Sequence, residues 1–188
     1  MTFYSASKYK LFLGLANLGF FVLALPVVAI VVAAIWLTLA SVLENVKFVH
    51  CTEQLLAIIS SAQDDAKTDA NFGMAENEDI IDDLVRRAQL ADRPLNSWKG
   101  AIRATAHPAP MLRIEVDVPG RACRRLALFF GKSADDLKLR KMEAHEQDSN
   151  GWSPFFDATN PLLFDHPAIN KACGESEHAT IALIFALR

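Results

Sequence analysis

The sequence predicts an α+β fold, in which a long N-terminal α-helix packs on a small antiparallel sheet of about four strands with short helices. Three observations lead to this fold class. Residues 11–43 of the 188-residue chain contain no Asp, Glu, Lys or Arg, whereas all 22 acidic residues lie from Glu44 onward. Apolar residues then continue at helical spacing to about Ala66. Beyond that point, segments of alternating apolar and polar residues are interspersed with short helical patterns.

The uncharged run of residues 11–43 predicts a transmembrane helix, because about 20 helical residues are enough to cross a bilayer. It is longer than the apolar region of a cleaved secretory signal, which has about 7–15 residues. Lys8 and Lys10 precede the run, so the positive-inside rule places the N-terminus in the cytoplasm and residues from Glu44 onward in the periplasm. The sequence therefore predicts a single-pass protein of the inner membrane. The residues expected in its membrane-embedded helix include Phe20, Leu23, Ala24, Pro26, Val31 and Ile35.

Residues 44–66 predict an amphipathic continuation of the same helix, and Pro26 predicts a kink within its apolar part. The apolar positions recur every three to four residues and form one stripe, made of Val42, Val46, Val49, Leu55, Leu56, Ile59 and Ala62. A stripe of this kind needs a partner along one side of the helix. We expect that partner to be a domain formed by residues 67–188.

Within residues 67–188 the pattern changes several times. After a polar turn-like segment at 67–78, we expect short helices at 77–90 and 119–131, the second ended by Gly131. Four segments predict strands, namely 100–106, 111–118, 136–144 and 178–187, and the last is the most apolar and is expected at the centre of its sheet. A long loop is expected between residues 147 and 171, where Pro, Asn, Asp and aromatic residues accumulate.

Three cysteines allow two interpretations. In an exported domain, Cys123 in a helix and Cys173 before the last strand are natural disulfide partners, and their bridge would hold the irregular loop against the sheet. The alternative is that both are buried free thiols. Cys51 is the odd cysteine and is expected to pack as a thiol on the long helix.

Composition argues against several classes of function. A formal net charge of −3 offers no general attraction to nucleic acid. The five histidines are scattered, and the sequence contains no second histidine at zinc-motif spacing, no glycine-rich phosphate loop and no Cys-x-x-Cys pair. His50 and Cys51 are adjacent, so on a helix they face different directions. We therefore expect no catalytic residue, no metal site and no cofactor.

Two clusters are candidates for interaction surfaces. Trp152, Phe155, Phe156 and Phe164 either anchor the loop before Cys173 on the sheet or form a subunit contact or adhesive patch. The second cluster consists of Arg121, Arg124 and Arg125, which form either a solvated helix face or salt bridges between subunits.

The order of these elements resembles that of a type IV pilin, and more closely that of the type IVb, PilS-like branch. That family has a turn entering a strand similar to "NSWKGAIRATA", a strand followed by Pro and a Cys-bearing helix as in "VDVPGRACRRLALFF", and a second Cys before the last strand as in "KACGESEHATIALIF". The likeness covers most of the chain. It implies a subunit that is anchored in inner-membrane lipid and then joins other pilin subunits in a filament, ending in an extracellular pilus.

The resemblance also implies processing by a prepilin peptidase and handling by a pilus assembly platform. Gly19 is the best candidate for the residue before the cut, so that residues 1–19 would be a leader and Phe20 the new N-terminus. The family usually has a glutamate four residues later, where this chain has Ala24. That departure points to a minor, initiating or divergent subunit. It also fits an uncleaved bitopic protein of a pilus or secretion machine whose outer domain binds partner proteins.

Overall fold

The computed structural model describes residues 6–68, 80–87, 95–108, 110–146, 151–160, 164–174 and 178–187; among these, the side chains of residues 6–24, 86, 87 and 146 are not described. The chain divides into two compact units, Met1–Val46 and Lys47–Arg188. The first helix, α1 (Ala6–Thr68), contributes residues to both units and includes Pro26 in its interior. After Pro26 the helix contains neither Gly nor Pro, the two residues that are least favourable in a helix interior.

In the part of the second unit that the structure describes, the end of α1 is combined with three short helices and five strands. In chain order these elements are α2 (Ile81–Arg87), β1 (Ile102–His107), β2 (Met111–Val118), α3 (Gly120–Lys132), β3 (Leu139–Glu146), β4 (Ser153–Asp157), α4 (His166–Cys173) and β5 (Ala179–Ala186). The strands form one sheet in the order β1-β2-β5-β3-β4, and every neighbouring pair is antiparallel. The apolar strand β5 is central, as the sequence predicts.

The sheet has five strands rather than about four, because part of the expected loop at 147–171 is strand β4. This strand is short, contains Pro154 and buries two consecutive residues, Phe155 and Phe156, so it lacks the alternation by which strands are recognised. The register of its pairing with β3 also shifts at Met142/Glu143. Strand β4 lies at the edge of the sheet and has a neighbouring strand on one side only. Proline, which cannot donate a backbone hydrogen bond, is tolerated at such a position.

The same expected loop also contains helix α4. Its N-cap is Asp165, whose side chain accepts a hydrogen bond from the backbone N–H of Ala168 at 2.6 Å, and Pro167 lies in the first turn, where helices accept proline. Gly131 is a further correction, because it lies inside α3 and does not end it. A Cβ at Gly131 would lie 2.2 Å from the ring of Phe164, so glycine there makes room for an aromatic side chain.

The core of the second unit lies between α1 and one face of the sheet. In β2 the buried residues alternate strictly with partly exposed ones, and they are Leu112, Ile114, Val116 and Val118. These join one buried cluster with α1 residues Cys51, Leu55, Ile58, Ile59, Ala62 and Ala66. The predicted stripe is thus correct for Leu55, Ile59 and Ala62, whereas Val42, Val46 and Val49 are exposed.

Candidate functional site

Among the residues whose side chains the structure describes, the largest exposed apolar surface belongs to α1. Every side chain from Leu25 to Val46 is exposed, and none of those before Glu44 carries a charge. Trp36, for example, is 72% exposed. Val31 and Ile35 belong to this surface, and Pro26 lies within it. Residues 25–68 form a helix long and apolar enough to cross a membrane. Burying so much apolar surface in lipid is favourable by about 25 cal/mol per Å².

Four of the residues predicted for processing and membrane embedding lie at the start of this helix. The backbone of Gly19, Phe20, Leu23 and Ala24 is helical, and their side chains are outside the described part of the structure. The helix therefore continues through the candidate cleavage site at Gly19 without a break.

The second unit contains the disulfide between Cys123 and Cys173, with an S–S distance of 2.08 Å. It joins α3 to the end of α4 and links residues separated by 50 positions in the chain. Cys51 is a buried free thiol on α1, and burial raises its pKa to about 12. A thiol with so high a pKa is not ionised at neutral pH and is a poor nucleophile.

The face of the sheet opposite the core carries a row of alternating charges, which we call the charged row. Its members lie on β1, β2 and β3, and they are Asp117, Arg103, Glu115, Arg113, Glu143 and Lys141. At one end, an Nη of Arg103 lies 3.1 Å from Asp117 and another lies 3.6 Å from Glu115. Thr180 on β5 donates a further hydrogen bond of 2.7 Å to Asp117.

Arg113 is at the centre of the charged row, with a side chain only 14% exposed. Its Nε lies 2.8 Å from Glu115, an Nη contacts Glu143, and the ring of Trp152 covers its guanidinium with 4.3 Å between Cζ and the ring centroid. Lys141 Nζ lies 2.7 Å from Glu143. Burial raises the pKa of Glu143, but the hydrogen bonds from Lys141 and Arg113 outweigh it and hold the pKa below its ordinary value. The alternation of Arg113, Glu115 and Asp117 along β2 is the signal that could have identified this row.

A pocket of about 400 Å³ adjoins the Asp117 end of the charged row. It is lined by Arg103, Asp117, His145, His178 and Thr180. No group of three or more His, Cys, Asp or Glu side chains placed to hold a metal ion occurs among the described residues. Three of these lining residues are engaged with one another, because Asp117 accepts hydrogen bonds from both Arg103 and Thr180.

Of the two interpretations of the aromatic cluster, the anchor of the loop fits the burial of its phenylalanines better than the exposed patch does. Phe155 and Phe156 are buried in the core, and Phe164 is partly buried with its ring 5.7 Å from that of Phe156. Trp152 is 37% exposed and packs on Arg113. These residues anchor β4 and the segment before α4, because aromatic rings bury large areas at an otherwise short edge strand.

The predicted arginine cluster is on the surface of α3. Arg121 and Arg125 are exposed and Arg124 is partly exposed, and Arg125 places its Cζ 4.2 Å from the ring centroid of Phe48 on α1. Sequence reasoning identified the cluster but not the contact with Phe48.

Comparison with known proteins gives no match to a family model, to a curated protein or to a solved structure.

Proposed function

We propose that this chain is a pilin-like structural subunit, anchored in a membrane through the first part of α1 and then assembled with other subunits into a filament of the type IV pilus kind. The observation that carries the proposal is the division within one helix. Residues 25–46 of α1 expose an apolar surface, whereas residues 51–66 bury one stripe in the core of a small α+β unit. A surface of the first kind is stable in lipid or against other apolar helices, not in water.

Two further features support this function. The disulfide ties the C-terminal region to α3, as expected in an oxidising compartment such as the periplasm. The apolar segment is also longer than a bilayer needs, so that part of it is available for contacts with neighbouring helices once the subunit leaves the membrane. The partners are then inner-membrane lipid before assembly and other pilin subunits afterwards, with a prepilin peptidase and an assembly platform acting on the precursor.

A second candidate function is that of an uncleaved bitopic protein of a pilus or secretion machine, whose outer unit binds partner proteins. Ala24 favours it, since it replaces the glutamate that pilin assembly usually employs.

The intact mass of the protein, isolated from membrane and sheared-filament fractions with and without reductant, distinguishes the two functions. A mature chain that starts at Phe20 and occurs in the filament fraction is expected for a pilin-like subunit. An intact chain that starts at Met1 and occurs only in membranes identifies the bitopic protein. A protein absent from both fractions contradicts both proposals.

A further inference from the structure

The pocket at the Asp117 end of the charged row has no role in the proposed function. Asp117, Thr180 and His145 lie side by side on β2, β5 and β3, because Asp117 and His145 both pair with Thr180 in the sheet register. Residues directly opposite one another on neighbouring strands point to the same face of the sheet. Arg103 on β1 and His178 just before β5 complete the polar lining of the pocket, whose volume is about 400 Å³. This volume lies within the range of sites for small ligands.

Hydrogen bonds within the pocket fix the position of its polar groups. Asp117 accepts one of 2.7 Å from the Thr180 hydroxyl and one of 3.1 Å from Arg103. The single hydroxyl proton of Thr180 is used in this bond, so its oxygen can only accept further hydrogen bonds. Among the residues that the structure describes, none forms a hydrogen bond with a ring nitrogen of His145. A ligand would therefore meet acceptors that are already oriented and an imidazole that is ready to bond.

The two opposite charges of the pocket limit the kind of ligand that it can take. Arg103 contributes a positive charge and Asp117 a negative charge, and the two groups are paired at 3.1 Å. Because these charges cancel, they give no net attraction to an anion or to a cation. They suit hydroxyl groups, since each hydroxyl both donates and accepts hydrogen bonds and so can bond to a carboxylate, a guanidinium and an imidazole.

Trp152 adds an apolar surface beside the same pocket. Its ring centroid lies 5.7 Å from that of His145, while the guanidinium of Arg113 covers the indole at 4.3 Å. The residue is nevertheless 37% exposed, so part of the indole is open to a ligand. A sugar ring carries hydroxyls around its edge and C–H groups on its faces, so it fits a site in which an indole adjoins hydrogen-bonding side chains.

We propose that this pocket, with Trp152 at its margin, binds a neutral saccharide. Hydroxyls of the sugar exchange hydrogen bonds with Asp117, His145 and Arg103, and a C–H face of the ring packs on the indole. The site is independent of the proposed function, because all of its residues belong to the second unit and none belongs to the exposed apolar part of α1.

The test uses the full-length protein in a zwitterionic detergent, because detergents with maltose or glucose headgroups would compete for the site. The probes are three neutral trisaccharides, namely maltotriose, cellotriose and triacetylchitotriose, and one anionic trisaccharide, sialyllactose. Saturation-transfer NMR measures the affinity of each probe and shows which of its protons contact the protein. We expect at least one neutral probe to bind with a Kd in the millimolar range or below, with the strongest saturation on the C–H groups of a single sugar ring.

Two variants change the site in different ways. His145→Phe keeps a ring beside Trp152 but removes both ring nitrogens, and Trp152→Leu keeps an apolar cover on Arg113 but removes the aromatic face. Each should weaken binding of the neutral probe by about threefold to tenfold, the effect of losing one hydrogen bond between uncharged groups or one aromatic contact. The matched control is His166→Phe, which removes an exposed histidine outside the pocket and should leave the affinity unchanged.

Circular dichroism establishes that each variant is folded, and either site variant alone is sufficient for the comparison. Absence of binding by every neutral trisaccharide at tens of millimolar overturns the saccharide site. Tighter binding of sialyllactose than of the neutral probes also overturns it, because the pocket then selects an anion. Equal losses in His145→Phe and His166→Phe, or an unchanged affinity in both site variants, place the sugar elsewhere on the protein. None of these outcomes bears on the anchor or the filament, which the intact-mass measurement tests separately.

Discussion

Glu143 is the residue on which the charged row depends most, because it accepts hydrogen bonds from Arg113 and Lys141 while its own side chain is buried. Replacing it, as in Glu143→Gln, leaves Arg113 with Glu115 as its remaining carboxylate. We expect a loss of about 1–3 kcal/mol in the free energy of unfolding at pH 7. Chemical denaturation of the full chain in detergent measures this loss. Arg103→Gln is the control and should cost less than about 1 kcal/mol, since Arg103 is half exposed.

The same residue predicts a pH dependence. Because the pKa of Glu143 is lower in the folded state than in the unfolded state, its stabilising effect is present above the unfolded-state pKa. The effect disappears as the pH falls through the folded-state pKa. The difference in stability between the wild type and Glu143→Gln should therefore shrink as the pH is lowered from 7 towards 3. A difference that stays constant over this range would show that the carboxylate charge does not contribute.

Gly100 gives a prediction that depends on backbone packing. A Cβ at this position would lie 1.8 Å from the carbonyl oxygen of Asp117, which is backbone and cannot move aside easily. Gly100→Ala should therefore destabilise the protein by about 1–3 kcal/mol, through strain in the turn that pairs with the end of β2. Gly151→Ala is the matched control, because no atom lies within 4 Å of its Cβ, and its effect should be below about 0.5 kcal/mol.

At the scale of elements, α1 has two kinds of surface, and substitutions that shorten its side chains should distinguish them. Ile58 is fully buried, so Ile58→Ala should cost about 2–5 kcal/mol by removing core contacts and leaving a cavity. Val49 is 53% exposed, and Val49→Ala should change the free energy of unfolding by less than about 0.5 kcal/mol. Equal losses in the two variants would mean that the stripe packs differently from the arrangement described above.

The disulfide connects two elements and gives a second prediction at this scale. Closing a loop of 50 residues stabilises a fold by roughly 4 kcal/mol in the chain-entropy model, so the reduced protein should lose about this much. Alkylation followed by intact mass identifies the pairing. The folded protein should take up no label at pH 8, because Cys51 is buried with a raised pKa. Unfolding without reductant should add one label, and unfolding with reductant should add three.

At the scale of the whole molecule, hydrophobic pattern predicts most of the elements and their order. The long uncharged run, the alternation in β2 and the apolar β5 each reflect a single dominant environment, which is why sequence alone identifies them. Strand β4 and helix α4 escape prediction, because their burial depends on contacts with β3 and α3 that are distant in sequence. The same holds for the charged row, whose six residues come from three strands. A row of this kind becomes visible only when strand order and register are known.

The division into two units predicts that the second unit folds without the first. Residues 47–188 contain the sheet, the disulfide and the buried part of α1, whereas residues 25–46 expose apolar side chains. A chain that begins at Lys47 should therefore be monomeric in aqueous buffer and unfold cooperatively. The full-length chain should remain in the membrane pellet after an alkaline carbonate wash and should need detergent for extraction. Circular dichroism and sedimentation of both chains measure these properties. If the shorter chain aggregates in the oxidised state, the exposed surface of residues 25–46 is not the only apolar surface that the protein must cover. If the full-length chain leaves the membrane in carbonate, α1 does not cross the bilayer.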